Sequence, residues 1–260
     1  MNPDYQKIAT GARKRVLEMI FKAQSSHIGS NFSSIDILAV LFEKMDREKD
    51  KFIASKGWVA AAVYYFLAEK GVIPKEDLER YCRPDEEEYI GLVEPHHKFG
   101  LEFAGGSMGY GLPAGAGFAL AKKLNKENGK IHVLMSDGEM QIGTTWESVL
   151  IARQHNLSNL VAWIDNNRLQ AMGPTKDILN IEPLDERIKP FGWAVQRING
   201  HDFGAIESAL QNLSSDKPNM VICDTIKGKG VSFMENNNLY HYKMLSEEEF
   251  NEANQELAKL

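Results

Sequence analysis

The 260-residue sequence predicts an α/β fold, a parallel sheet with helices on both faces. Two observations carry this. In the second half, short β-rich runs alternate with helical stretches, an order that builds parallel sheets. Two of those runs end in polar motifs containing glycine or asparagine, and ligands in such sheets bind at the carboxyl ends of the strands. One doubly wound domain over residues 1–260 accounts for the length.

The elements follow in order. Asn2-Pro3-Asp4 offers a cap, a first-turn proline and an acid. The helix it opens carries Ile8, Ala12, Val16, Met19, Ile20 and Ala23 at a period near 3.6. Ser33, three residues before Asp36, resembles an acidic capping box, so a helix is expected through residues 35–45. Trp58 to Lys70 reads as a mostly apolar helix stopped by Gly71, and Pro74 starts another short one. Residues 83–104 show no period and are expected to form a long loop, a length that is often functional. The glycine-rich stretch 105–117 then runs into an apolar helix, FALAKKL. Strands are expected at 131–137, 159–167, 192–198 and 219–226, with helices at 144–157 and 202–214.

Composition excludes several function classes. The net charge is -6 and no Lys/Arg-rich block stands out, so nucleic acid is not an expected partner. Cys82 and Cys223 cannot build a disulfide framework and form no C-x-x-C pair, which fits a reducing compartment. The longest apolar run, Trp58 to Ala68, is far short of the roughly 20 residues of a membrane helix. The N-terminus has no signal-peptide stretch. A cytoplasmic protein without a membrane partner is expected.

The chemistry concentrates at two strand ends. Ser136-Asp137-Gly138-Glu139 follows one strand and Asp165-Asn166-Asn167 the next, with 30 residues from Asp137 to Asn167. One helix and one strand fill that interval, so the two ends should be neighbours. Asp137 offers a carboxylate and Asn167 an amide oxygen, hard donors suited to Mg²⁺ or Ca²⁺. Gly138 lets the backbone come close to a phosphate. Either motif alone reads as a helix cap or a turn; the two together at this spacing favour a site. A rival reading takes Gly109, Gly111 and Ala114 as a dinucleotide fingerprint, with Asp137 as the ribose-binding acid of a nicotinamide-dependent oxidoreductase. The residues before Gly109 make a poor strand for that purpose.

The stretches AQSSHIGSNFS, KFIASKGWVAAAVYYFLAEKGVIP, GGSMGYGLPAGAGFALAKK, MSDGEMQIGTTWESV, IDNNRLQAMGPT, FGWAVQRINGHD and TIKGKGVSFMENN resemble the N-terminal, diphosphate-binding subunit of split bacterial transketolases. The resemblance covers nearly the whole chain. It implies a single diphosphate-binding domain over residues 1–260, with thiamine diphosphate and Mg²⁺ or Ca²⁺ as cofactors. It further implies transfer of a two-carbon ketol unit between sugars or sugar phosphates. Residue by residue, Asp137, Asn167 and the Leu169 carbonyl match the metal ligands and Gly138 the diphosphate contact. Gly106, Ser107 and Met108 match the loop near the aminopyrimidine. His27 matches a substrate histidine, His241 a histidine near cofactor and substrate, and Glu147 an acid of the network joining two halves of a dimer. The glutamate that activates the aminopyrimidine belongs to a pyrimidine-binding domain, expected on a separate partner subunit in an α₂β₂ assembly.

The sequence also departs from the family. Trp58, in Ser55-Lys56-Gly57-Trp58, replaces a histidine; Ile142 replaces a glutamate; Tyr110 replaces a glutamine. Pro95-His96-His97 only loosely matches a glycine-histidine-proline motif. The cofactor anchor is therefore better kept than the substrate pocket, which points to a non-standard sugar. A non-catalytic cofactor-binding partner is the alternative from a different class.

Overall fold

A computed structural model describes residues 3–95, 100–103 and 105–260. Asp4 caps the first helix, α1 (Tyr5–Ala23), its carboxylate accepting the Lys7 N–H at 3.1 Å. The expected cap, Asn2, lies outside the described residues. Helix α2 (Ile28–Lys44) begins well before Ser33, behind His27 in the left-handed conformation (φ 70°). Ser33 is no cap; its hydroxyl donates to Asp165 Oδ2 at 2.6 Å. The strand β1 (Lys51–Ala54) was not expected from the sequence. A 3₁₀ turn at Gly57–Val59 leads into α3 (Ala60–Glu69), and Gly71 follows it with φ +67°.

The four strands expected in the second half are present, and the helices expected at 144–157 and 202–214 each end three residues early. Helix α4 (Gly111–Asn125) precedes β2 (Ile131–Ser136) and α5 (Gly143–Gln154). Strand β3 (Leu160–Asn166) is followed by a small hairpin, β4 (Leu169–Gln170) and β5 (Gly173–Pro174). The short helices α6 (Thr175–Leu179) and α7 (Leu184–Ile188) come next. Strand β6 (Ala194–Asn199), α8 (Phe203–Gln211), β7 (Asn219–Asp224) and α9 (Glu247–Leu257) complete the chain.

Among the described residues the main sheet has five parallel strands in the order β1-β2-β3-β7-β6. Side chains alternate between its faces. Leu134, Val161, Trp163, Val221 and Cys223 pack with α1, α2 and α3, while Val133, Met135, Ala162, Ile164 and Ile222 pack with α4 and α5. Both faces are covered, which is why the central strands β2, β3 and β7 are mostly apolar and buried. Among the described residues no helix is long and apolar enough to cross a membrane.

Register brings the two motifs together. Ser136 pairs with Asp165 across β2 and β3, so Asp137 and Asn167 leave adjacent strand ends as the spacing predicts. The long loop is pinned above them. The Gly57 N–H donates to the Gly105 carbonyl at 2.8 Å, and a Cβ on Gly57 would fall 2.0 Å from that oxygen. Only two glycine backbones can pass so closely. This crossing sets Gly106 and Met108 over the sheet.

Candidate active site

A cavity of about 330 Å³ opens at the carboxyl ends of the strands. His27, Gly106, Met108, Asp137, Gly138, Asn167, Leu169 and His241 all line it, so most of the site residues expected from the sequence meet in one place. Trp58 lines it too, half-buried. Two expected residues are not brought there. Ser107 is exposed outside the lining, and Glu147 is exposed on α5. Ile142 packs against Gly109 and Tyr110 is 54% exposed, and neither reaches the cavity. His96 and His97 lie outside the described residues. The dinucleotide reading fails on context, because no strand among the described residues leads into Gly109.

Asp137 is held by three donors. Its Oδ1 accepts the Gly138 N–H at 2.8 Å; its Oδ2 accepts the Arg168 N–H at 2.7 Å and the Thr175 hydroxyl at 3.0 Å. Even so, burial and the nearby Asp165 charge push its carboxyl up to about 6. The group is short of positive charge, as a cation ligand is before its ion arrives. Asn167 Oδ1, which accepts the Leu169 N–H at 3.0 Å, is the amide oxygen beside it.

Behind Asp137 and Asn167 lies a network the sequence did not reveal. Lys56 and Asp165 form a fully buried ion pair, their side chains 1% and 0% exposed. Asp165 also accepts from the Ser33 and Ser34 hydroxyls on one oxygen and from Thr225 on the other. Burial alone would raise the Asp165 carboxyl, but the Lys56 ammonium and these donors hold it below its usual range. Asp165→Asn is expected to destabilise the fold by roughly 3–5 kcal/mol, because it strands the Lys56 charge without a partner. Urea unfolding measures this, and a loss below about 1 kcal/mol would show the pair to be solvated.

The two histidines face each other with ring centroids 5.0 Å apart. His27 Nδ1 lies 2.7 Å from the Ser26 hydroxyl, and His241 Nδ1 lies 2.8 Å from Lys227 Nζ. Burial, then the positive charges of Lys227 and Lys56, lower His27 to about 4. Burial, Lys227 and His27 lower His241 to about 3. Both rings are neutral at physiological pH. Burial and the Lys56 charge bring Lys227 itself down to about 8.

The chemistry of the donors fits a diphosphate–metal group. Asp137, Asn167 and Leu169 line one cavity with Gly138, and between them they offer a carboxylate, an amide oxygen and a backbone carbonyl. Among the described residues no three His, Cys, Asp or Glu side chains cluster as a protein-only metal site. An ion here would complete its shell with ligand oxygens, the usual habit of Mg²⁺. Gln170 Nε2, in the same lining, is buried with no hydrogen-bond partner among the described residues. A buried N–H₂ without an acceptor marks a place for one.

Comparison with known proteins decides the family. Residues 5–259 match the family model for the transketolase thiamine diphosphate binding domain. The chain belongs to the transketolase family. An apulose-4-phosphate transketolase subunit of Phocaeicola vulgatus is 33% identical to it, over 95% of this chain and 91% of that protein. The 6-deoxy-6-sulfo-D-fructose transketolase subunit SqwG of a Clostridium species is 35% identical, over 98% and 97% of the two chains. The crystal structure of transketolase from Campylobacter jejuni superposes with a TM-score of 0.90 at 28% identity, covering 99% of this chain and 43% of that one. This transketolase-family chain is thus a thiamine diphosphate-binding domain that spans less than half of that solved chain.

Lys56 and Gln170, which line the cavity, and Lys227 behind it carry no role in the sequence reading, and Asp165 enters it only as part of its strand-end motif. Lys56 stands in the quoted Ser55-Lys56-Gly57-Trp58, and Lys227 in TIKGKG with Lys229 two residues on, lysines set among small or apolar residues. That pattern was the available signal.

Proposed function

We propose that this chain is the diphosphate-binding subunit of a transketolase-type enzyme that moves a two-carbon ketol unit between modified sugars. The observation that supports it best is the convergence of Asp137, Asn167 and Leu169 with two neutral histidines in one cavity. Asp137, Asn167 Oδ1 and the Leu169 carbonyl would hold Mg²⁺ or Ca²⁺. Lys227, now 3.4 Å from the Leu169 carbonyl, is the ammonium at hand for diphosphate charge. When bound, thiamine diphosphate supplies the carbon nucleophile and electron sink that ketol transfer needs. His241 accepts at Nδ1 from Lys227, so its Nε2 carries a proton that it can donate to a substrate oxygen. His27, neutral beside it, can hold or pass on a hydroxyl proton. The partner is a separate pyrimidine-binding subunit in an α₂β₂ assembly in the cytoplasm; the naming of the two relatives as transketolase subunits supports the split.

Trp58 supports an unusual substrate. Its ring lies 6.5 Å from His27 at the cavity wall, where it can meet a substrate as well as pack on α3. An indole has one N–H donor and more volume than an imidazole, which makes the pocket narrower and less polar. The relatives named for apulose-4-phosphate and 6-deoxy-6-sulfo-D-fructose point the same way. A site lacking a donor binds the matching hydroxyl less well, by roughly 0.5–1.5 kcal/mol for a neutral pair. The reconstituted enzyme is therefore expected to prefer a less hydroxylated or modified sugar to xylulose 5-phosphate. A donor panel compared by kcat/KM tests this. A clear preference for xylulose 5-phosphate with ribose 5-phosphate would make Trp58 a packing residue and the enzyme an ordinary transketolase. No turnover of any donor would favour a non-catalytic cofactor-binding protein.

A further inference from the structure

A buried polar chain outside the cavity grips the loop that follows β7. Arg13, on α1, meets Asp36 of α2 through two guanidinium nitrogens at 2.9 and 2.8 Å. Asp36 Oδ2 also lies 2.6 Å from His201 Nδ1. His201 Nε2 accepts the Ile226 N–H at 2.7 Å. A backbone N–H can only donate, so Nε2 carries the lone pair and the His201 proton sits on Nδ1, facing Asp36. Arg13 Nε meanwhile donates to the Lys229 carbonyl at 2.9 Å. The loop is thus held by its backbone on either side of Lys227.

That loop serves the site twice. Thr225 donates to the buried Asp165. Lys227 Nζ reaches His241 Nδ1 at 2.8 Å, Asn238 Oδ1 at 3.3 Å and the Leu169 carbonyl at 3.4 Å. An ammonium only donates, so Lys227 dictates which nitrogen of His241 bears hydrogen.

We propose that His201 is a positioning residue: by holding the Ile226 N–H it places Lys227, and through Lys227 it fixes the His241 tautomer and the positive charge beside the diphosphate ligands. The second consequence rests on the cofactor reading above; the first does not. The Gly228 N–H to Gly29 carbonyl bond, 2.9 Å, does not involve His201 and is a separate tie on the same loop.

Two variants separate positioning from bulk stability. His201→Asn keeps a polar atom near Asp36 and loses the acceptor for Ile226. His201→Gln reaches further, and its amide oxygen can take the Ile226 N–H. Nitrogen-15 spectra of the full chain with labelled histidine, without cofactor, should show His241 protonated at Nε2 in the wild type and in His201→Gln, and a tautomer mixture in His201→Asn. With thiamine diphosphate and Mg²⁺, calorimetry should show about tenfold weaker binding for His201→Asn and at most about threefold for His201→Gln. His201→Asn should add nothing in a Lys227→Met background, the mark of two residues acting through one contact. An unchanged His241 tautomer in His201→Asn, or affinity losses that simply add, would overturn the proposal. If His201→Asn does not fold, a folded His201→Gln that shows mixed tautomers would overturn it instead, and one that keeps the single tautomer would support it. A wild-type chain that binds no cofactor would refute the cofactor reading and leave the tautomer result standing.

Discussion

Asp137→Ala and Asn167→Ala are each expected to abolish metal-dependent binding of thiamine diphosphate while the fold survives. Second-sphere groups around a metal are commonly worth about 10–100-fold in affinity, so a direct ligand should exceed that. The cost to the fold is within what a stable domain tolerates. Asp137→Ala leaves the Arg168 N–H and the Thr175 hydroxyl without their acceptor, a loss of about 1–3 kcal/mol, but it also removes a carboxylate that burial disfavours. Calorimetric titration with Mg²⁺ present, with circular dichroism to check folding, makes the measurement. Unchanged affinity in both variants would sink the metal assignment.

The same carboxyl gives the effect a pH dependence. Asp137 is raised to about 6 in the folded chain by burial and the Asp165 charge. The folded state therefore binds this proton more tightly than the unfolded one. Its contribution to stability is full below about pH 4 and is lost as the pH climbs through about 6. A bound divalent cation removes the penalty on the ionised form. Thermal stabilisation by thiamine diphosphate and Mg²⁺ should accordingly be larger at pH 7.5 than at pH 5.5, and a flat difference would count against Asp137 as a ligand.

What the sequence made legible and what it hid follow from distance along the chain. Asp137, Gly138 and Asn167 sit in short motifs beside apolar strands, so local pattern placed them at neighbouring strand ends. Lys56 and Asp165 are 109 residues apart and form a pair only because β1 and β3 flank β2. Strand β1 itself has four residues and pairs on one side, too little for periodicity to show. The start of α2 was misplaced because Ser30, Ser33 and Ser34 look like surface or cap residues. They are fully or almost fully buried against Asp165 and Lys56, an inward polar face that amphipathic reasoning assigns outward. Helix α9 could have been read, since Ser246 and Glu249 form a capping box. His201 looked like a loop residue, and nothing local tied it to Asp36 or Ile226.

The purified chain alone is expected to show no ketol transfer, and to gain it only with a pyrimidine-domain partner. The reason lies in the carboxylates. Activation of the aminopyrimidine calls for an acid of its own, and Asp137 is the one carboxylate lining the cavity among the described residues. It cannot both bind the metal and polarise the other end of the cofactor. Glu139 is near but already engaged: fully buried, it accepts from Ser55 and from the Ser136 and Gly109 N–H groups, fixing the glycine-rich loop. The acid must then come from a further domain or subunit, as the 43% share of the solved transketolase chain allows. The surface is suited to receive one. Met172 is 89% and Tyr242 62% exposed at the cavity mouth, and Leu150 and Ile151 stand exposed on α5 beside Glu147. Exposed large apolar side chains of this kind are the usual mark of an interface. Steady-state turnover should therefore be at background for the isolated chain and rise by at least about a thousandfold on adding the partner. Sedimentation should show an α₂β₂ species, weakened by Leu150→Asp. Turnover by the isolated chain at a rate near that of the reconstituted enzyme would overturn the split-site reading, because it would require an activating acid that the cavity does not contain among its described residues.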